Sequence, residues 1–472
     1  MELRADRKQL GAWYTPADLV ATVVDAVVTP EFVAARTRRH RPVSVLDPAC
    51  GDGRFLTAVA ERVRRLGGSV ELHGVDIDPA AGAAVTAELP GAHIERADAL
   101  TIDWSGRRFD LVIGNPPFLS QLASSTTRGG SSGRGGGPYA DVAAECLSLA
   151  ADVVDPDGGR LAFVLPQSLL ASRDAAPIRD RIDRRATMIW SWWTGDRVFD
   201  AQVITCAVGF EFGTATAPRP WSHVVTQPSG VPELPADVAT RGRLGDRATL
   251  NANFRDEYYG LVPAVGDLDE GPRLVTSGLI DPGRSLWGLR PITFARQRWE
   301  RPRVDRSSLD PKMQEWARRR LVPKVLVANQ TRIVEAVCDD RGDWLPAVPV
   351  IAVYPTGAHW DDVDDVPADA LTGAAREIAA VLSSPFVSAW LWHRGAGTGL
   401  SAGSIRLSPV VLAELPWPAG SLTAAVDALP AGDLRRWAAA VDRSCGVDGG
   451  AGLDPWWEAL LQRIETRQPA AV

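Results

Sequence analysis

Residues 42–55 read Pro-Val-Ser-Val-Leu-Asp-Pro-Ala-Cys-Gly-Asp-Gly-Arg-Phe. Val43 to Leu46 is a compact apolar run of strand type, and a helical pattern follows from Phe55 through Leu66. Between them, Gly51 and Gly53 permit a tight turn and a close backbone approach. Strand, glycine turn and helix open a doubly wound α/β sheet, which binds ligands outside the carboxyl ends of its strands. The spacing differs from the dinucleotide pattern Gly-x-Gly-x-x-Gly. Asp47, at the strand tip, would repel a pyrophosphate and would welcome a cation such as an α-ammonium.

Working outward, Glu71 to Pro79 is a second strand ending in acid. Its separation from Asp47 fits the acidic residue that bonds a ribose hydroxyl pair in such folds. Asp76 is therefore assigned to a ribose and Ile77 to the adenine ring beside it. Asp78 is a cap for a helix starting at Pro79. A third strand, Ala92 to Arg96, leads into Ala97-Asp98-Ala99-Leu100. A fourth, Arg108 to Ile113, delivers Gly114-Asn115-Pro116-Pro117-Phe118. Two consecutive prolines fix φ and remove two donors, so their carbonyls form a rigid acceptor corner. Asn115 adds a side-chain carbonyl and Phe118 a flat apolar face. The corner suits an exocyclic amine on a planar ring; the plain alternative is a proline turn closing a core strand. Upstream, Thr15 before Pro16 reads as an N-cap followed by proline at the first helical position.

Asn115-Pro116-Pro117-Phe118 at a strand end resembles the signature of S-adenosylmethionine-dependent amino-group methyltransferases. With two prolines and Phe it is similar to that of N6-adenine DNA methyltransferases. Asp47 to Gly53 closely resembles their first cofactor motif, and Tyr14-Thr15-Pro16 resembles their opening segment. The resemblance implies a Rossmann-like methyltransferase sheet and a C-terminal α+β target-recognition domain. It implies S-adenosylmethionine as cofactor, S-adenosylhomocysteine as product, and no metal. Cofactor contacts would come from Thr15, Asp47, Ala49, Gly51, Gly53, Asp76, Ile77, Asp98 and Ala99. Asn115, Pro116, Pro117 and Phe118 would be catalytic, and Phe199 would join Phe118 in stacking on a flipped base; a core phenylalanine is the alternative for Phe199.

Ser120 to Gly137 is rich in Ser, Thr, Gly and Arg and is read as a loop, either a plain linker or a DNA-contacting lid with Arg128 and Arg134 on phosphates. A helix over Tyr139–Val154, a strand over Arg160–Pro166, a helix around Ala175–Arg185 and strands over Ile189–Trp193 and Val203–Phe212 complete the sheet.

Residues 213–250 are rich in Pro, Thr and Gly, which places a domain boundary there. The expected division is a catalytic domain over 1–225, a target-recognition domain over 250–420 and a helical segment over 421–472. Arginines cluster between Arg290 and Lys324, interleaved with Trp299 and Trp316. Arg296, Arg298, Arg301, Arg303, Arg318 and Arg319 are the expected phosphate contacts; a solvated helix face is the alternative. Pro323–Ala328 and Val348–Tyr354 are expected strands and Glu377–Trp392 an apolar helix. This series resembles the target-recognition domain of the Thermus type II and type IIG adenine methyltransferases.

With 472 residues, 45% of them hydrophobic, the chain is too long for one ordinary domain and too apolar for global disorder. A net charge of −7 makes local patches, not the total, the guide to phosphate binding. The five cysteines and six histidines are scattered, without zinc or redox spacing. Nothing in Met1–Gln9 directs export and no run spans a bilayer, so a cytoplasmic protein without membrane contact is expected. The expected partner is double-stranded DNA, with further subunits of a restriction or phage-defence system. Rival readings are a protein glutamine-N5 methyltransferase, an RNA base methyltransferase and an N4-cytosine enzyme. The glutamine enzymes carry their extra mass ahead of this site, whereas here it lies behind, with a basic cluster.

Overall fold

The computed structural model describes residues 14–78, 85–118, 133–138, 140–196, 198–199, 203–213, 219–252, 255–356, 367–429, 432–447 and 452–466. Pro79, Arg128 and most of the Ser120–Gly137 loop lie outside the described residues. The chain divides into two compact units, Met1–Pro228 and Ser229–Val472.

In the first unit the described strands are β1 (Val43–Asp47), β2 (Val70–Asp76), β3 (His93–Arg96), β4 (Leu111–Gly114), β5 (Arg160–Pro166), β6 (Ala186–Trp193) and β7 (Thr205–Phe212). They form one sheet in the order β3-β2-β1-β4-β5-β7-β6. Strands β1 to β5 run parallel, and β7 is antiparallel to both its neighbours. The order reverses between β1 and β4, so the binding crevice of a doubly wound sheet falls at the carboxyl ends of these two strands. The fold of this unit is a doubly wound, mixed α/β sheet.

Helices α1 (Ala17–Val27), α2 (Pro30–Thr37) and α3 (Arg54–Arg65) pack on the sheet. Helix α3 buries Phe55, Leu56, Val59, Ala60 and Val63, the stripe that a 3.6-residue period lays on one face. Helix α4 (Val142–Val153) is capped by Asp141, whose carboxylate accepts from the Ala143 N–H at 2.9 Å. Helix α5 (Ala176–Asp183) follows.

The start of α1 differs from expectation. Pro16 (φ −55°, ψ 142°) is the N-cap and the helix begins at Ala17, with no side-chain cap. The residue before a proline is pushed to extended backbone, and Thr15 is instead buried.

The amino end of the sheet is held by a carboxylate. Asp110, just ahead of β4, is buried and accepts from Arg36 Nε at 3.2 Å, Arg41 Nη1 and Nη2 at 2.6 and 2.7 Å, and the Ser44 N–H at 3.0 Å. Burial would push its carboxyl up; the bonds from Arg41, Ser44 and Arg36 outweigh that and hold it below the usual carboxylate range. Four elements meet there: α2, the turn after it, β1 and β4.

The second unit holds two four-stranded sheets among its described residues. In one, Lys324–Val327 lies antiparallel between Ala336–Asp339 and Ile351–Pro355. Lys324 and Asp339, directly opposite in register, form a fully buried ion pair. The single helix expected over Glu377–Trp392 is two, Ala368–Leu382 and Pro385–Gly395. Pro385 has no N–H to continue the first helix, and Ser384 caps the second by accepting from Val387 N at 3.1 Å. Leu434–Ser444 and Leu453–Glu465 pack within this unit, with Trp437 and Trp457 buried. Among the described residues no helix is long and apolar enough to cross a membrane.

Candidate active site

Strand β1 ends on Asp47, which is buried; its Oδ1 accepts from the Ala49 N–H at 3.0 Å. Burial pushes the carboxyl up to about 8, and Asp76 and Asp52 add to the effect. The register pairs Leu46 with Val112, which sets Asp47 beside the end of β4. A Cβ on Gly114 would collide with Asp47 Oδ1, so glycine is the residue that lets this carboxylate reach the Asn115 corner.

The glycine turn follows. Gly51 and Gly53 have φ of +52° and +81°, a conformation that costs other residues strain. The Cys50 N–H donates to Val75 O at 2.9 Å, and the Gly51 N–H to Asp76 Oδ2 at 2.8 Å. Asp76 Oδ1 takes the Asp78 N–H at 2.8 Å. Each Asp76 oxygen keeps a second lone pair, so the residue can shape the loop and still accept from a ligand diol. Ile77 beyond it is 57% exposed, a bare apolar side chain at a strand end. The Ala97 N–H donates to Asp76 O at 3.1 Å, which ties the end of β3 to this edge. Asp98 is exposed and accepts from the Leu100 N–H at 2.9 Å. Ala99 is buried, and its carbonyl takes Trp104 Nε1 at 2.8 Å.

The opening segment is fastened to the turn by a residue that the motif reading passed over. Arg54 donates through Nε to Asp52 at 2.7 Å and through Nη1 to Thr15 O at 3.0 Å, and its guanidinium lies 5.4 Å from the centre of the Tyr14 ring. The Tyr14 ring covers Gly51, where a Cβ would come 3.6 Å from Cε1. The available signal was an arginine directly after the second glycine. Thr15, Asp47, Ala49, Gly51, Gly53, Asp76 and Ile77 are thus brought together along one edge.

At the end of β4, Pro116 is buried, while Asn115, Pro117 and Phe118 are half-buried. Phe118 meets Phe199 edge to face, with centroids 6.2 Å apart and planes at 90°. Phe199 is buried, in the core cluster that Phe118, Val198 and Trp190 pack against. The two rings touch each other here, so stacking both on one base requires Phe199 to turn.

Arg134 Nη2 donates to Leu100 O at 3.1 Å, and Ser148 Oγ donates to the Arg134 carbonyl at 2.8 Å. In the second unit, Arg296 and Arg298 sit on a ribbon formed by Ile292–Phe294 and Gln297–Trp299. Arg298 pairs with Glu300 at 3.1 Å in full exposure. Arg301 and Arg303 lie over Trp287, at 5.4 and 4.8 Å. Arg318 and Arg319 both bond Glu315, at 2.7 and 2.6 Å, and hold its carboxyl down at about 2. Two of the six expected phosphate contacts are therefore engaged by one carboxylate.

A type II methyltransferase, M.CvrRI of Paramecium bursaria Chlorella virus XZ-6E, is 27% identical over 187 residues, 38% of this chain and 42% of its own. M.TthHB8I, a type II methyltransferase of Thermus thermophilus, is 33% identical over 119 residues, 24% of this chain and 22% of its own. The chain spans less than half the length of these curated relatives. The solved structure of the type IIL restriction-modification enzyme MmeI in complex with DNA covers 98% of this chain and 78% of its own, at TM-score 0.56 and 12% identity, a likeness of fold. Residues 3–186 match the description N-6 DNA Methylase. The matched stretch holds the whole Asp47–Asn115 edge, so this part of the chain is similar to the N-6 DNA methylases.

Proposed function

We propose that the chain transfers a methyl group from S-adenosylmethionine to the N6 amine of adenine in a specific double-stranded DNA sequence, as the modifying member of a restriction or phage-defence system. The observation that carries this reading is the Asn115-Pro116-Pro117-Phe118 corner at the end of β4, with Asp47 lodged beside it under Gly114. The donor edge fits the cofactor part by part. Asp47, buried with a raised carboxyl, suits an α-ammonium; Asp76 suits a ribose diol; the bare Ile77 suits an adenine face. S-adenosylmethionine, when bound there, supplies an electrophilic sulfonium methyl.

The remaining difficulty is the nucleophile, whose lone pair is shared with the adenine ring. Asn115 Oδ1 and the Pro116 carbonyl would accept the two N–H groups and favour a more tetrahedral nitrogen. That is positioning and electrostatic preorganisation, each able to supply several kcal/mol. A duplex base must be flipped to reach the corner, at a cost of a few kcal/mol. Stacking on Phe118, and on Phe199 once it turns, offsets this by roughly 1–3 kcal/mol per ring. Catalysis falls to residues 1–225 and target recognition to 250–420, where Arg298, Arg301 and Arg303 are the phosphate contacts; 421–472 adds helices.

The test is tritiated cofactor incubated with duplex DNA, RNA and a peptide release factor in parallel, followed by nucleoside digestion. Label in N6-methyladenine is the expected result. Label only in protein, only in RNA, or in N4-methylcytosine overturns the reading.

A further inference from the structure

The ribbon over 292–299 has an inner and an outer face. Ile292 and Phe294 are buried in the core of the second unit, and Trp299 packs against it. Thr293 and Arg298, directly opposite each other in register, are both exposed. The pair Phe294–Gln297 closes a two-residue turn made of Ala295 and Arg296, with φ of +52° and +64°. Positive φ at both central residues is the type I′ geometry, for which Asn-Gly is the favoured pair. Ala and Arg adopt it only under strain, and strain at an exposed turn points to a job for the side chain it displays. Arg296 is exposed, and among the described residues no hydrogen bond or ion pair holds its guanidinium. The arginines behind it are already placed: Arg273, Arg301 and Arg303 surround the Trp287 ring at 4.8, 5.4 and 4.8 Å, and Arg303 donates to Gly271 O at 2.6 Å.

We infer that this ribbon enters the major groove of the target duplex and that Arg296 at its tip reads a guanine of the recognition sequence. The inference rests on the proposed DNA methylation. The major groove admits a two-stranded ribbon, and the turn is the part that goes deepest. A guanidinium there meets guanine O6 and N7 with two parallel donors, which a phosphate contact does not require. Arg301 and Arg303, set back against Trp287, remain at phosphate level.

The experiment uses the full chain. The methylated motif of the wild type is mapped on plasmid DNA, then compared with Arg296→Lys and with the double change Ala295→Asn, Arg296→Gly, which installs the favoured turn pair. Expected for both variants is an unchanged or higher Tm, a loss of about 10–100-fold in methylation of the cognate duplex, and relaxed choice at one G·C pair. Arg296→Lys with wild-type rate and motif makes the residue a phosphate contact and overturns the inference. So does a double variant that methylates the same motif at the wild-type rate. A wild-type chain that labels no DNA removes the parent reading and this inference with it.

Discussion

Asp47 and Asn115 sit side by side at the switch point of the sheet and carry different burdens. For Asn115 the expectation is kinetic. Asn115→Ala should lower methyl transfer by at least about 100-fold, the scale of losing one preorganised acceptor, with cofactor affinity unchanged. Retained turnover in a clean preparation removes Asn115 from the chemistry. For Asp47 the expectation is a proton. Its folded carboxyl, near 8, lies above an unfolded value of about 3.9. The folded chain therefore binds more protons across that window, and this group makes the ligand-free protein less stable as pH rises through it. An α-ammonium bound there would draw the proton off. Calorimetry of cofactor binding at pH 7 should show a buffer-dependent enthalpy reporting proton release, and Asp47→Asn should abolish it. An enthalpy independent of buffer would put the ligand's charge elsewhere.

At the scale of elements, the glycine turn, the strand-end acids and the Asn-Pro-Pro-Phe corner were legible because each is local: a few adjacent residues state the geometry they need. The Asp110 cluster was not, since its bonds join residues 66, 69 and 74 positions apart. Arg54 was equally hidden, its partner Thr15 lying 39 residues upstream. The break at Ser384 was written in the sequence, but an unbroken apolar period on both sides masked it. Asp110→Ala leaves Arg36 buried without its carboxylate, and a loss of about 3–5 kcal/mol in urea unfolding is expected. With a folded carboxyl below its unfolded value, this contribution is present above about pH 4 and disappears as pH falls through the folded value. An Asp110→Ala chain as stable as the wild type at pH 7 would show that the cluster holds nothing together.

For the molecule as a whole, an acidic total coexists with a basic ribbon region in the second unit. DNA affinity should fall steeply with salt, by counterion release from the arginine contacts. Replacing the exposed Arg298 and Arg301 by Gln should reduce the slope of log affinity against log salt by about 2, uniformly across sequences. An unchanged slope would move the phosphate contacts to another surface. The packing at Gly114 has an evolutionary consequence. Every single-nucleotide change of its codon that alters the residue adds a Cβ, and any Cβ strikes Asp47. A side chain at position 114 therefore requires the Asp47 carboxylate to move. Residues 114 and 47, 67 positions apart in the chain, are thereby bound to change together or not at all.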